Sequence, residues 1–372
     1  MKRSVQGVRR MIASAVALGL AAVLLLGCGG DVRPADGETS TTAGDAASGG
    51  RAASLSGAGA TFPEPLYLEW IGEYITNVQP NVSINYQGIG SGGGIQQFTQ
   101  MTVDYGASDA PMEDEEIAAA ESASGAKVLH IPTVFGAVVP VYNLEGVDQL
   151  RLDQETLAGV FLGDITTWND PKIAALNSGT ALPDEAIQVV HRSDSSGTTS
   201  IFTGYLAQTS SSWESGVGAG KEVQWPVGIG GQGNDGVAAV VQQRKGSLGY
   251  VELSYAVETG LRTATLRNKA GNFVEPSLDS TSAAGAGIDF PEDLRFSLSD
   301  SASPDAYPIV GATWILAYDQ MRDQAKAAAL KSFLTWCLQD GNAIARDLGY
   351  APLPPELKNL ALAKVEAINA TE

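Results

Sequence analysis

The stretch Arg192-Ser193-Asp194-Ser195-Ser196-Gly197-Thr198-Thr199, followed at once by Ser200-Ile201-Phe202-Thr203-Gly204-Tyr205-Leu206, organises the rest of the chain. Ile201, Phe202, Tyr205 and Leu206 fall at helical spacing, so the Ser/Gly/Thr run before them is a helix N-terminus rich in capping hydroxyls. Such an end aims backbone N–H groups and partial positive charge at whatever lies in front of it, which makes it an anion site. Arg192 adds a planar guanidinium that matches a tetrahedral oxyanion, and Asp194, two residues on, is placed to hold that guanidinium still. An ordinary capped surface helix with an exposed ion pair would share this local pattern. The weight therefore falls on other stretches, distant in sequence, that carry the same chemistry.

Two such stretches exist. In Leu55-Ser56-Gly57-Ala58-Gly59-Ala60-Thr61-Phe62-Pro63-Glu64-Pro65 small residues permit tight turns, Thr61 is a cap and Pro63 suits a first helical turn; Leu66, Trp70, Ile71 and Tyr74 then mark a buried helical face. After a short strand, Val82 to Tyr86, comes Gly88-Ile89-Gly90-Ser91-Gly92-Gly93-Gly94, leading into a helix with Ile95, Phe98 and Met101 on one face. Gly88, Gly90 and Gly93 match G-x-G-x-x-G, but the pattern recurs at Gly228, Gly230 and Gly233 in a chain with 43 glycines, so it does not indicate a dinucleotide fold. Its content is a third helix start with unobstructed amides and Ser91 as a hydroxyl donor. Asp109, in Gly106-Ala107-Ser108-Asp109-Ala110-Pro111, sits where a strand ends, either as a local cap or as a site carboxylate.

At 372 residues the chain is long enough for two lobes, and 44% apolar against 17% charged residues makes most of it globular. The net charge of −19 and pI near 4.4 argue against a nucleic-acid partner. An anion must then be captured by local dipoles and one or two arginines against the field of the whole protein. The two histidines and the lack of a metal-ligand cluster or a G-x-S-x-G elbow leave no metal site, no cofactor and no nucleophile-base pair, so an enzyme is not expected.

The first residues address the chain for export. Lys2, Arg3, Arg9 and Arg10 precede an apolar run, Ile12 to Leu26, of roughly 15 residues, short for a membrane span. The run ends in Leu25-Leu26-Gly27-Cys28, which resembles a bacterial lipobox, so residues 1–27 are expected to be a signal peptide and Cys28 the lipidated mature N-terminus. Residues 28–53, of Gly, Ser, Thr, Ala and Asp with scattered Arg and Pro, read as a tether spanning about 25–30 Å. Cys337, on an amphipathic helix, would be a buried, inert thiol with no disulfide partner.

Strands are expected at 128–134 and 137–142, with passage to a second lobe near Thr133–Phe135. Short helices follow between Leu157 and Asn177, and the strand Ile187 to His191 delivers Arg192. A turn-rich stretch, Gly228 to Gly236, is capped by Asn234-Asp235, and then come the strand Ser247 to Val251 and a returning strand, Pro308 to Leu316. Two helices, near Gln320–Leu338 and Pro355–Ala370, end the chain. Strand, loop and helix alternate throughout, so the class is α/β, with site residues at the carboxyl ends of strands.

Taken together, 57–63, 86–93, 106–111, 192–198, 228–236 and 249–252 resemble, in collinear order, the PstS-type phosphate-binding proteins that feed bacterial phosphate ABC transporters. The resemblance implies a two-lobed type II periplasmic-binding-protein fold: lobe I from 54–134 and 311–372, lobe II from 135–310, two crossings, and one phosphate in the cleft. Carried over by position, the ligand shell is Thr61, Phe62, Ser91, Asp109, Arg192, Ser196, Gly197 and Thr198, with Asp194 bracing Arg192. Ser195 and His191 depart from the pattern, where glycine and a second basic residue are expected. The implied partners are phosphate, permease subunits with their ATPase, and the membrane through Cys28; the receptor itself would be a monomer. An ionised Asp109 only accepts hydrogen bonds, so phosphate, which keeps a proton at neutral pH, would be taken and sulfate refused. A receptor for another oxyanion, a phosphoryl-handling enzyme and a surface adhesin or sensor are the rival readings.

Overall fold

The computed structural model describes residues 53–371. The expected signal peptide, Cys28 and all but the last residue of the expected tether lie outside the described residues. Ala53, that last residue, is buried, and its carbonyl accepts from Ser83 N at 2.9 Å.

The elements that position the site are, in chain order, β1 (Ser54–Gly59), α1 (Glu64–Glu73), β2 (Ser83–Gly88), α2 (Ser91–Thr99), β3 (Tyr105–Ser108), α3 (Asp114–Ser124), β4 (Val128–Asn143), β5 (Gln188–Arg192), α4 (Gly197–Thr209), β6 (Ile229–Gly231), α5 (Gly233–Gln243), β7 (Ser247–Glu252), α6 (Leu253–Thr259), β8 (Val310–Tyr318), α7 (Gln324–Gln339) and α8 (Pro355–Glu366). Shorter strands and helices lie between them. The main sheet runs β2-β1-β3-β8-β4-β7-β5-β6. Pairings β2–β1–β3 and β7–β5–β6 are parallel, whereas β8 and β4 run antiparallel to their neighbours. The two parallel groups thus flank a central antiparallel pair, and each sends its carboxyl ends into a helix start.

The two strands expected at 128–134 and 137–142 are one strand, β4. Its first half pairs with β8 and its second half with β7, in register Val138↔Glu252 to Asn143↔Ser247. The expected break after Val134 is absent, since Phe135 and Gly136 stay paired with Ala312 and Gly311; the irregularity falls instead at Pro132, which cannot donate to a ladder. The structure accommodates it at a bulge, where the register passes from Thr313↔Val134 to Trp314↔Pro132 and leaves Thr133 without a counterpart.

Other expectations shift locally. Met101 does not share the buried face of α2; that helix ends at Thr99, and Met101 is exposed with φ of 54°. Asn234-Asp235 does not cap the helix that follows but lies within the first turn of α5, whose N-cap is Gln232. A short helix, Asn342–Asp347, separates the last two expected ones. As the sequence indicates, α1 buries Leu66, Trp70 and Ile71, with Tyr67 beside them. Trp70 Nε1 donates to Gly341 O at 2.9 Å and Tyr74 packs on Phe333 of α7, tying the first helix to the end of the chain. Cys337 is buried there, and burial pushes its thiol well above the usual range, which makes it inert.

Candidate anion site

Four helix starts meet at one place. The start of α2 rests on the 193–196 loop, with Gly92 N donating to Ser195 O at 3.0 Å. Gly90, which precedes it, has φ of 84°, and a Cβ there would stand 2.5 Å from Asp194 Oδ2, so conformation and space both demand glycine. The start of α4 comes down on Ser91 and Asp109. A Cβ at Gly197 would lie 2.6 Å from Asp109 Cβ and 2.7 Å from Asp109 Oδ2, closer than real Cβ atoms stand. The third start, Thr61-Phe62 before α1, is joined to the fourth, α5, by Asn234: its Nδ2 donates to Thr61 Oγ1 at 2.9 Å and to Thr198 Oγ1 at 3.2 Å.

Arg192 ends β5 and is 3% exposed. Its Nε and Nη2 donate to Asp194 Oδ1 and Oδ2 at 2.8 and 2.5 Å, and Asp194 Oδ1 also accepts from Gly233 N at 3.1 Å. Burial works against the Asp194 carboxylate, but the guanidinium bonds outweigh it and hold the carboxyl below its usual range. The brace leaves Nη1 buried and without a partner among the described residues. A buried guanidinium N–H in that state is costly unless it meets an acceptor. Ser196 caps α4, accepting from Thr199 N at 3.1 Å, which leaves its own O–H to give.

Asp109 is the acceptor of the group. Its Oδ1 accepts from Thr313 Oγ1 at 2.8 Å, and Ser91 Oγ approaches Oδ2 at 3.4 Å while accepting from Asp109 N at 3.2 Å. Thr313 lies on β8 beside the bulge, which couples the central strand pair to the site. Burial pushes the Asp109 carboxyl up to about 7, against the lowering effects of Thr313, Arg192 and Ser91. The sequence alone implies a fully ionised group; in the folded chain it exchanges its proton near neutrality.

Residues 42–340 match the family model described as the PBP superfamily domain. Phosphate-binding protein PstS of Pasteurella multocida is 43% identical over 326 residues, covering 87% of this chain and 91% of that protein. Phosphate-binding protein PstS 3 of Mycobacterium leprae is 36% identical over 364 residues, covering 95% and 98%. The chain belongs to the PstS family. Among solved structures, a high-affinity periplasmic phosphate-binding protein bound with phosphate superposes with TM-score 0.68 at 22% identity, covering 83% of this chain and 93% of that one. A human phosphate-binding apolipoprotein gives 0.70 at 22% identity with the same coverage. The fold is therefore the two-lobed type II binding-protein fold.

In this PstS chain the residues singled out by sequence converge. Thr61, Ser91, Asp109, Arg192, Ser196, Gly197 and Thr198 are buried around the four helix starts, with Asp194 behind Arg192. Phe62 is buried at the same end of β1, its carbonyl accepting from Tyr350 OH at 2.6 Å. His191 is neutral in character: burial lowers its pKa, it stacks on Trp225 with centroids 4.8 Å apart, and Nδ1 meets Arg192 O. Sequence reasoning missed Asn234, Thr313 and Glu252. Asn234 lies in plain view inside a glycine-rich stretch, but an Asn at a helix start reads as a cap.

Glu252 closes β7 and is fully buried, with Oε2 accepting from Ser254 N at 2.8 Å and from the Ser254 hydroxyl, and Oε1 without a partner among the described residues. Burial moves its carboxyl from 4.5 to about 8. The folded chain then keeps a proton that the unfolded chain releases above 4.5, so the stability this group lends is complete below that pH and is lost as pH rises through about 8. Glu252→Gln keeps an acceptor for Ser254 and has no proton to lose. Its stability relative to the unmodified protein is expected to rise by about 3–5 kcal/mol between pH 4 and pH 9, read from urea midpoints. A relative stability independent of pH would contradict the assignment.

Proposed function

We propose that this chain is a lipid-anchored extracytoplasmic receptor that closes two lobes on one inorganic phosphate and delivers it to the permease of an ABC transporter. The observation that carries the reading is the burial of one carboxylate, Asp109, where the helix starts meet, with Ser91 and Thr313 donating to it and Arg192 Nη1 buried and unpartnered among the described residues. Thr61, Phe62, Ser91, Asp109, Arg192, Ser196, Gly197 and Thr198 hold the ligand, and Asp194 keeps Arg192 in place. Helix starts at roughly 0.3–1 kcal/mol and charge-assisted bonds at roughly 1.5–3 kcal/mol each compensate the desolvation of a dianion. Asp109 accepts the hydrogen bond that the phosphate O–H donates.

In this reading lobe I is 54–134 with 311–372 and lobe II is 135–310, joined through β4 and the segment entering β8. Donors from both lobes give the closed form its higher affinity, so phosphate stabilises closure. The relatives named phosphate-binding protein support the ligand. The charged start, short apolar run and Cys28 support export and lipid attachment. Among the described residues no helix is long and apolar enough to cross a membrane.

Calorimetric titration of the purified, ligand-stripped protein with phosphate tests the site, and fractionation of cells expressing Cys28→Ala tests the anchor. One phosphate bound per chain, and release of the variant from the membrane fraction, are expected. Absence of phosphate binding would return the chain to the adhesin or sensor reading.

A further inference from the structure

Asn234 touches no part of the shell carried over from the sequence except two hydroxyls, and what it does to them sets the character of the site. The residue is fully buried in the first turn of α5. Its Oδ1 accepts from Glu252 N at 3.0 Å, and a backbone N–H has only a proton to give, so the amide orientation is fixed with Nδ2 facing the other way. That Nδ2 carries two hydrogens, and each is used, one on Thr61 Oγ1 at 2.9 Å and one on Thr198 Oγ1 at 3.2 Å.

A hydroxyl has two lone pairs and one proton. Thr61 Oγ1 accepts a second time, from Asn234 N at 3.3 Å, so both of its lone pairs are occupied and only its proton remains. Thr198 has given one lone pair to the amide, and Ser196 one to Thr199 N. Neither Thr61 nor Thr198 has an acceptor for its hydroxyl hydrogen among the described residues. Thr61 thus keeps only a proton, while Thr198 and Ser196 each keep a proton and one lone pair; the carboxylate buried beside them is Asp109.

We propose that Asn234 is a positioning residue that fixes the proton polarity of the cleft, leaving Thr61 only a proton to give and turning the Thr198 hydroxyl hydrogen away from the amide, so that the site prefers the phosphate species carrying one proton over the species carrying two. The inference rests on phosphate being the ligand. A singly protonated dianion offers its proton to Asp109 and only acceptors elsewhere. The doubly protonated monoanion brings a second O–H to a shell of donors. It loses a hydrogen bond and leaves a donor facing a donor.

Asn234→Leu tests this, because leucine fills a similar volume and donates nothing, which frees both threonine hydroxyls to turn and accept. Ionisable groups around the amide are Glu252, bonded to it through the backbone; Asp235, next in the chain; Asp194, bonded to the adjoining Gly233 N; Arg192, paired with Asp194; Tyr255, whose OH donates to Thr61 O at 2.5 Å; and Asp109, packed on Gly197 beside Thr198, which changes charge between the two test pH values. All are the same in the proteins compared. Phosphate affinity is measured by calorimetry at pH 8 and pH 5.5 in the unmodified protein and the variant. The variant is expected to lose about 10–30-fold at pH 8 but no more than about threefold at pH 5.5, narrowing the ratio of the two affinities by roughly tenfold. Asn234→Asp provides the second arm: the introduced carboxylate accepts from both hydroxyls and reverses them, so binding falls by more than about 100-fold at pH 8 and partly returns at pH 5.5, where that carboxylate regains a proton.

Equal losses at both pH values in both variants would mean that Asn234 only supports the fold, and would overturn the proposal. If Asn234→Leu does not fold, recovery or non-recovery of Asn234→Asp at pH 5.5 decides. Failure of the unmodified protein to bind phosphate at either pH strikes the functional reading instead.

Discussion

Replacing Arg192 by methionine is expected to lower phosphate affinity by about 10³-fold, equivalent to roughly 4 kcal/mol. The side chain is almost wholly buried, and two of its donor nitrogens are spent on Asp194, which leaves Nη1 to meet the ligand. Removing the guanidinium loses a charge-assisted bond and also strands the Asp194 carboxylate, whose side chain is 14% exposed, beside an incoming dianion. Arg192→Lys is not a mild change, since a single ammonium cannot brace on Asp194 through two nitrogens and present a third to the ligand. Its affinity is expected to fall by about 10²-fold. Asp194→Asn separates the two effects: the guanidinium stays charged but loses its hold, so binding weakens by less than in Arg192→Met. Calorimetry on the three variants, with urea unfolding to track stability, is the check. An Arg192→Met affinity within threefold of the unmodified protein would show that the guanidinium serves the fold and not the ligand.

The second large effect concerns Asp109 and pH. Sulfate has no proton to give, so it requires Asp109 to carry one. In the free protein Asp109 releases its proton near pH 7. Below that pH the proton is in place and sulfate affinity is flat. Above it the proton must be taken up on binding, and sulfate affinity falls about tenfold per pH unit. Phosphate brings its own proton and meets an ionised Asp109, so its affinity does not fall over this range. The preference for phosphate is expected to widen by about 10²-fold between pH 7 and pH 9. Asp109→Asn keeps an oxygen for Thr313 and turns an N–H toward the ligand, so sulfate binding becomes independent of pH and the preference no longer widens. Sulfate binding to the unmodified protein that stays level up to pH 9 would remove Asp109 from the selectivity mechanism.

The same residues show what a sequence reveals and where it falls short. Arg192 and the Ser196-Gly197-Thr198 helix start are legible because each sits in a local pattern whose physics is local: a cap, a dipole, a small residue where backbones approach; Thr61, read as a cap, makes no cap bond, since the N-cap of α1 is Pro63 and the Thr61 hydroxyl meets Asn234 instead. Their convergence is legible only through the collinear resemblance, since nothing within one stretch says what faces it. Asn234 stands in a quoted motif yet reads there only as a cap, because its two hydroxyl partners lie 173 and 36 residues away. Thr313 is hidden for a similar reason: its partner Asp109 lies 204 residues away, and nothing in its own strand says what faces it. From sequence the Asp109 carboxyl reads as permanently charged, because composition gives its type and not its burial. Its burial in the folded chain, where α4 packs on Ser91 and Asp109 at the spacing Gly197 allows, moves it toward neutrality.

Selectivity in this site comes down to one acceptor held among donors and satisfied by a proton that the ligand brings. A competition at pH 8 tests that arrangement most directly: ligand-stripped protein is loaded with labelled phosphate, and sulfate is added in rising excess. Phosphate is expected to stay bound with sulfate at about 10⁴-fold excess. Displacement of phosphate by sulfate at comparable concentrations would contradict it.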